Sequence, residues 1–458
     1  MANSLKGTSD MNIKSKITSM LVTTLFVGIS SSFAGDLTLA GAIATSNKSG
    51  EIPLYTGSKI EVPKGWSPGM HYENPFPGDA TKFVINKSNS HQYASKLSEG
   101  QKHLIEQFED YQLPVYQTRR TVRYTPRIVE GTKKNLKKAY LSKDGNGVVG
   151  LAEGFPFPIL SDDSSTAALQ AIWNHITRFR GGSLERSVTQ ISVSKGQYQQ
   201  PVALFQKYSR AEYIKGNSKE QNRNILFYYI DKITAPSRLT GTVTLLHETL
   251  NQSKDKRRAW LYNSAQRRVR RAPVVAFDSP VDGTIGIKVI DSMDMFNGSP
   301  ERYDWTYLGR EEKFIPYNSY KLASNQLKYK DIVGAQTVNS NLTRWELHRV
   351  HKVVATLKKG QRHIYGKRVF YLDEDSWAIA LSEEYDNKGN LWRISEGHLM
   401  NFYDRDVTTY ASEITYDLLR NSYFVFGLSN EESFSYKFGK EFKKSDFTPA
   451  ALRRSSRG

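Results

Sequence analysis

The fold class is decided by the stretch from Ala378 to Phe402, which reads AIALSEEYDNKGNLWRISEGHLMNF. Two runs rich in apolar and β-branched or aromatic residues, Ala378–Tyr385 and Leu391–Phe402, flank the polar loop 386–390. A short polar loop that contains a glycine, here Gly389, and joins two such runs is typical of a β-hairpin. The stretch therefore predicts two long antiparallel strands.

The same period-two pattern continues through most of the chain after about Gly182. It predicts further strands over Leu184–Val193, Gln197–Phe205, Asn224–Ile233, Gly241–Thr249, Arg257–Asn263, Arg267–Ala272, Tyr303–Tyr317, Thr343–Thr356 and Ile364–Asp373. Upstream, Thr118–Val129 also alternates and is predicted to be a strand. Successive hairpins indicate one large antiparallel meander, and a sheet of that length curls, closes or splits.

Three segments are predicted to be helices, and they are Leu97–Phe108, Thr166–Arg180 and Thr408–Leu419. Several strands are apolar on both faces, so helices or a bound molecule must cover them. Few helices over a long curled sheet leave room for a concave apolar interior. The alternative is an ordinary filled core.

The N-terminus has the pattern of a secretory signal peptide. Lys14 and Lys16 precede the apolar run Ile17–Ile29, and small residues stand at Ser32 and Ala34. The run is shorter than the roughly 20 residues that a spanning helix needs, which argues against the alternative of a membrane anchor. We predict a signal peptide over residues 1–34 (with Met11 as an alternative start), export through the Sec route, cleavage after Ala34 and a periplasmic location.

The rest of the chain divides into three predicted parts. Residues 35–96 form an extended N-terminal arm, residues 97–444 a single curved-sheet body with its plugging helices, and residues 445–458 a loose basic tail. The chain has no cysteine, which excludes disulfides, thiolate nucleophiles, Cys-ligated zinc and a lipoprotein anchor. Its net charge of +18 suits nucleic acid, an anionic membrane surface or anionic lipid, and the alternative is that the charge only keeps the protein soluble. Export makes nucleic acid an unexpected partner.

No motif points to catalysis, a cofactor or a metal ion. There is no G-x-S-x-G elbow. His348 and His351 fall on a predicted strand, where a spacing of three places them on opposite faces and prevents them from chelating one ion. The acidic run Asp373–Asp375 is predicted to be a solvated turn. We therefore predict no enzymatic activity.

One hairpin combines an aromatic strand with a basic strand. The first strand, Arg257–Asn263, carries Trp260 and Tyr262, and the second, Arg267–Ala272, carries four arginines. The arginines are candidates for binding anionic head groups or an acidic partner, and they are Arg267, Arg268, Arg270 and Arg271. The alternative is a solvated edge strand whose charges prevent aggregation.

At this hairpin the sequence resembles a known superfamily. The pattern R-x-x-W-x-Y at residues 257–262, followed by R-R-V-R-R at residues 267–271, resembles the outer-membrane-lipoprotein-sorting-like proteins, the LolA/LolB-like superfamily. Other stretches resemble its DUF1329 branch, and these are Phe155–Pro158, Ala171–His175, Asn224–Tyr229, Asp294–Gly298, Arg302–Trp305, Ile315–Asn318, His363–Arg368, Tyr371–Trp377 and Phe447–Arg454. The resemblance covers nearly all of the chain after residue 34.

The resemblance implies a mainly β (α+β) fold, with a strongly curved antiparallel sheet, an incomplete barrel, and a few helices that plug its open side. It implies a soluble periplasmic carrier or binding protein for a lipid, an acylated protein or another hydrophobic ligand, linked to outer-membrane or RND-type transport. The alternative is a non-enzymatic adaptor that binds a transporter or an outer-membrane protein through a basic face. The candidate cavity residues, each of which could equally be core, are Phe227, Tyr229, Trp260, Tyr262, Trp305 and Tyr371.

Overall fold

The main feature of the computed structural model is one 17-stranded sheet. The structure describes residues 36–216, 224–272 and 277–455, so the predicted signal peptide lies outside the described residues. The strands of the chain are β1 Phe83–Ile85, β2 Leu113–Val115, β3 Tyr140–Leu141, β4 Val148–Val149, β5 Ser183–Ser194, β6 Gln197–Tyr198, β7 Val202–Arg210, β8 Ile214–Lys215, β9 Ile225–Ala235, β10 Val243–Thr249, β11 Arg258–Asn263, β12 Arg268–Arg271, β13 Tyr303–Pro316, β14 Trp345–Leu357, β15 Lys367–Asp373, β16 Ile379–Tyr385, β17 Leu391–Phe402, β18 Val407–Asp417, β19 Ser422–Leu428, β20 Tyr436–Phe438 and β21 Phe442–Lys443.

Helices are short and few in the described part of the chain. The α-helices are α1 Glu99–Gln107, α2 Pro126–Lys138, α3 Ser164–Thr177, α4 Tyr329–Ile332 and α5 Pro449–Ser455. Single 3-10 turns occur at Ser90–Lys96, Ala211–Tyr213, Ile290–Ser292, Pro300–Arg302, Ser340–Leu342 and Lys444–Phe447. No described helix has both the length and the apolar character that crossing a membrane would require.

The long strands form one antiparallel path through the sheet. The pairing order is β12–β11–β10–β9–β7–β5–β19–β18–β17–β16–β15–β14–β13. Within the described ranges, β12 pairs only with β11, and β13 pairs along its length only with β14, so the curved sheet does not close. The predicted mainly β fold with an incomplete barrel is confirmed.

The hairpin of β16 and β17 shows how side chains in a short loop set the register of two strands. The Asp386 side chain accepts hydrogen bonds from the backbone N–H groups of Lys388 and Asn390 at 2.8 and 2.9 Å. Gly389 takes a φ of 87°, which a residue without a Cβ adopts without strain. The loop therefore aligns β16 with β17 so that Leu381 pairs with Glu396.

Two helices cover parts of the sheet. Helix α1 lies on β16 and β17, where the Gly100 N–H donates to the Glu383 side chain at 2.8 Å. Its Ser98 and Gln101 form a reciprocal N-terminal cap. Helix α3 begins after the capping carboxylate of Asp163 and lies on β13 and β14. These two predicted helices are confirmed in position.

The helix predicted over Thr408–Leu419 is wrong, because this segment is strand β18. Its apolar spacing also fits a helix, but the segment is rich in Thr, Tyr and Ile, which favour strands. Strand β18 pairs with β17 on one side and β19 on the other, and every residue of it is buried. Tertiary pairing therefore decides its conformation.

The strand predicted over Thr118–Val129 is also wrong. Helix α2 begins at Pro126, within the last third of this segment, and continues to Lys138. Pro126 stands at its first turn, where the missing N–H has no helical partner to lose, and the Thr125 hydroxyl accepts from the Ile128 N–H. Residues 118–125 belong to no strand, although the Thr118 hydroxyl donates to the Leu347 carbonyl at 2.8 Å.

The tail predicted to be loose is folded as far as residue 455. Helix α5 packs on β10, β11 and β12. Phe447 and Leu452 are almost completely buried in a cluster with Tyr228 and Phe442. The basic residues of the tail mask an apolar spacing, and this spacing gives α5 a buried side.

We expect Leu452→Ala to lower the free energy of unfolding by about 2–5 kcal/mol, the usual range for emptying a buried leucine site. The matched control is Leu419→Ala, because that leucine is 67% exposed. Chemical denaturation measures both variants. Equal stability of the two variants would contradict a docked tail.

Candidate functional site

A cavity of about 150 Å³ lies against one face of the curved sheet. Its walls come from β5, β7, β9, β10, β18, β19 and β20, and the segment 293–297 borders it. The residues with apolar or aromatic side chains around it are Leu184, Tyr208, Phe227, Tyr229, Leu246, Met293, Tyr410, Phe426 and Tyr436. The polar residues are Arg180, Arg186, Gln206, Asp294, Asn297, Thr409 and Glu413.

Strand register brings the wall residues onto one face. Leu184 pairs with Tyr208, Tyr208 pairs with Tyr229, and Tyr229 pairs with Leu246. Directly paired residues point to the same side of a sheet, so four strands contribute to one continuous wall. The face is the concave one, since β18 and β19 add Tyr410 and Phe426 to the same cavity.

The size of the cavity limits what it holds. An apolar protein cavity of about 150 Å³ is large enough for benzene. The cavity therefore encloses one ring or a short alkyl segment, and a longer chain would extend beyond its mouth.

An ion-pair group closes one end of the cavity. The Asp294 carboxylate forms an ion pair with Arg178, with 2.6 Å between Oδ1 and Nη2, and a second ion pair with Arg180. Burial opposes ionisation of Asp294, but the two guanidinium groups outweigh it and hold the pKa of this carboxyl group well below its ordinary value. Arg180 also lies over the rings of Tyr208 and Phe227, with its guanidinium carbon 5.4 and 5.3 Å from their centres.

The structure places two of the six candidate cavity residues, Phe227 and Tyr229, in the cavity wall. Trp260 and Tyr262 lie on the opposite face of the sheet, because Trp260 pairs with Leu245, the neighbour of Leu246. There they pack in the cluster that α5 covers. The aromatic hairpin therefore faces away from the cavity.

The other two candidates lie in packed core. Trp305 stacks on Phe370 at 6.0 Å between ring centres, and its indole N–H donates to the Pro300 carbonyl at 2.8 Å. Tyr371 is buried, with the ammonium of Lys352 5.7 Å from its ring centre. Neither residue borders the cavity.

The four candidate arginines of the basic strand are all exposed. Arg268, Arg270 and Arg271 lie on β12, and Arg267 stands in the preceding turn with a φ of 52°. None of them forms an ion pair with a residue in the described ranges. They form a basic edge of the sheet beside α5.

The acidic run Asp373–Asp375 is not a solvated turn, so that prediction is wrong. All three residues are at most 1% exposed. Arg120 holds Asp375 through two hydrogen bonds of 2.9 and 2.6 Å. Glu374 accepts from the Ile43 N–H at 3.1 Å and from Arg349 at 3.3 Å.

These groups join the N-terminal arm to the sheet. Besides its carboxylate partners, Arg120 donates to the carbonyls of Ala44 and Pro53, and Arg349 donates to those of Ile43 and Thr45. A buried carboxylate needs such cationic partners, because an unpaired buried charge is strongly destabilising. The acidic run is therefore structural and fixes the arm.

The side chains of His348, Asp373 and Asp375 come close enough to suggest a metal site, with one possible ligand atom of each within 4.8 Å of the others. Both oxygens of Asp375 already accept from Arg120, and His348 Nε2 faces Glu346 at 3.2 Å. A guanidinium thus occupies the positions that a cation would use. His351 lies on the other face of β14 and stacks on Trp377 at 4.2 Å.

The polar groups Arg180, Arg186 and Asp294 of the cavity are not among the candidate cavity residues that the sequence indicated. A signal for one of them is present. Arg186 has the same parity in β5 as Leu184 and Val188, so the period-two pattern itself places an arginine on the apolar face.

This chain is similar to one protein family and to a relative of nearly the same length. The model of the family DUF1329, described as a protein of unknown function, matches residues 84–453. The uncharacterized protein PA3922 of Pseudomonas aeruginosa is 42% identical over 440 residues, which cover 95% of this chain and 96% of that protein.

Solved structures are similar at lower levels. A DUF1329 family protein from Desulfovibrio piger has 16% identity and a TM-score of 0.41, covering 60% of this chain and 92% of the other. A LolA superfamily protein from Nitrosomonas europaea, NE2245, has 14% identity and a TM-score of 0.36, covering 62% of this chain and 97% of the other.

The buried position of Asp373 predicts a pH effect. Burial and repulsion from Asp375 raise the pKa of Asp373 to about 6, whereas an aspartate in an unfolded chain has a pKa of about 3.9. The folded state therefore binds this proton more tightly, so the stability that Asp373 contributes is greatest below pH ~4 and is lost as the pH rises to about 6.

Asp373→Asn removes this loss. We expect the stability of the variant relative to the natural protein to rise between pH ~4 and ~7 by on the order of 3 kcal/mol. Denaturation at a series of pH values measures it. Asp162→Asn, at an exposed position, serves as the control. If the stability of Asp373→Asn changed with pH in the same way as that of the natural protein, the raised pKa of Asp373 would be contradicted.

Proposed function

The chain belongs to the DUF1329 family, and from this premise we propose that it is a periplasmic carrier or binding protein for a lipid, an acylated protein or another hydrophobic ligand. The observation that carries the proposal is the cavity on the concave face of the sheet, with its mainly apolar and aromatic wall. The predicted signal peptide supports the periplasmic location, and the lack of cysteine argues against a lipid-anchored lipoprotein. A link to outer-membrane or RND-type transport is part of the proposal and rests on the resemblance.

The wall supplies the binding energy without specific polar contacts. Each methylene group moved from water into an apolar site contributes about 0.8 kcal/mol. A ring or short alkyl segment in the cavity would therefore be held by several kcal/mol of apolar burial. Such binding tolerates different chain lengths, because burial is not directional.

Filling the cavity tests the proposal. We expect Leu246→Trp to weaken binding of a fluorescent fatty-acid probe at least tenfold, because the larger side chain at this position of the wall fills part of the cavity. Fluorescence titration measures the affinity. Leu308→Trp, at a position that is 53% exposed, is the matched control.

Two results would contradict the carrier proposal. One is that the natural protein does not bind the probe. The other is that Leu246→Trp and Leu308→Trp bind it equally well while both remain folded by circular dichroism.

A second candidate function is that of an adaptor that binds a transporter or an outer-membrane protein. The observation in its favour is the basic edge of the sheet, where four exposed arginines lie together without ion-pair partners among the described residues. Edge strands accept a further strand or an acidic surface, and the charges would select the partner.

The adaptor proposal predicts a charge-specific loss. In a cross-linked pull-down, the double variant Arg268→Glu/Arg270→Glu should no longer retain envelope proteins that the natural protein retains. The control Lys134→Glu/Lys138→Glu makes the same charge change on the exposed side of α2. Retention of the same proteins by both variants would exclude the basic edge as the binding surface.

A further inference from the structure

Arg186 is a cation in the cavity wall, and no carboxylate in the described part of the chain forms an ion pair with it. Its Nε donates to the side-chain oxygen of Gln206 at 2.6 Å, and its Nη1 donates to the Tyr436 hydroxyl at 2.6 Å. The Tyr229 hydroxyl lies beside it. All three partners are neutral, and no carboxylate oxygen of the described residues lies within 4.0 Å of this guanidinium.

The carboxylates around the cavity are engaged elsewhere. Asp294 is paired with Arg178 and Arg180. Glu413 is paired with Lys288 at 3.0 Å and also accepts from a backbone N–H. Among the described residues, both carboxylates that line the cavity are thus paired with cations other than Arg186.

A third carboxyl group, that of Asp231, lies nearby but forms no ion pair with Arg186. Asp231 lies on the same face and accepts from the Gln206 side chain at 3.1 Å. Burial raises the pKa of Asp231 to about 6. It interacts with Arg186 only at longer range, and Gln206 stands between the two groups.

An unbalanced guanidinium in apolar surroundings favours one kind of ligand. Partly buried cations are costly unless they are paired. Arginine is suited to carboxylate and phosphate groups, because its planar fork can donate two parallel hydrogen bonds. The rings of Phe426 and Tyr436 lie 5.4 Å from the guanidinium carbon and hold it in the wall.

We propose that the ligand of this cavity is an anionic amphiphile. Its acidic group, a carboxylate or a phosphate, pairs with Arg186, and its apolar part lies against Leu184, Phe227 and Leu246. This inference rests on the proposed function as a carrier and adds the class of head group. A free inorganic anion does not account for the aromatic wall, and a neutral lipid does not account for Arg186.

A comparison of matched probes tests the proposal on the natural protein. Dodecanoate, dodecyl phosphate and dodecanol share one alkyl chain and differ in their head groups. We expect at least one of the two acids to bind roughly tenfold or more tightly than the alcohol. Only the acids can accept a charge-assisted hydrogen bond from Arg186 as anions. Isothermal titration below the micelle concentration measures all three, and inorganic phosphate is the fourth ligand.

Two variants assign the effect to the guanidinium. Arg186→Gln should remove the preference for the acids over dodecanol, whereas Arg186→Lys should retain part of this preference. The control is Lys207→Gln, which removes the same charge from the neighbouring strand β7 at a half-buried position outside the cavity lining. Circular dichroism checks that each variant is folded.

The outcomes separate the two levels of the proposal. Equal binding of acids and alcohol by the natural protein, or an unchanged preference in Arg186→Gln, overturns the anionic head group and leaves the carrier standing. Displacement of dodecanoate by equimolar inorganic phosphate overturns the amphiphile and assigns Arg186 to a free anion. No binding of any alkyl probe overturns both the inference and the carrier.

Discussion

The curved sheet has apolar side chains on both faces and two unpaired edges, β12 and β13, in the described ranges. Segments outside the sheet must therefore cover it, since exposed apolar faces and edges favour aggregation. Helix α3 lies on β13 and β14, α1 lies on β16 and β17, and α5 lies beside the edge at β12. Over β5, β7, β9 and β10 one part of the concave face stays unfilled, and the cavity is that part.

Fixing the covering segments needs more than apolar contact. The N-terminal arm has only isolated bridges before β1, so few backbone hydrogen bonds of its own stabilise it. Arg120 and Arg349 connect its carbonyl groups to the buried carboxylates Glu374 and Asp375. Removing either arginine would leave a buried carboxylate without its cationic partner, which is strongly destabilising.

The sequence predicted the strands and hairpins well, because period-two alternation and turn residues act locally. It failed where distant parts of the chain decide. Thr408–Leu419 is a strand because β17 and β19 lie on either side of it. Asp373–Asp375 is buried because arginines from remote segments reach it. For the cavity, aromatic character alone could not separate Phe227 and Tyr229, which line it, from residues on the outer face, such as Trp260.

The central claim is that the concave face holds a hydrophobic ligand. The most direct test is mass spectrometry of the protein isolated from its own cell envelope without detergent, with organic extraction of the same sample. The account predicts a near-stoichiometric amphiphile in the native spectrum and an acidic lipid or fatty acid in the extract. A ligand-free native mass together with an empty extract would contradict it.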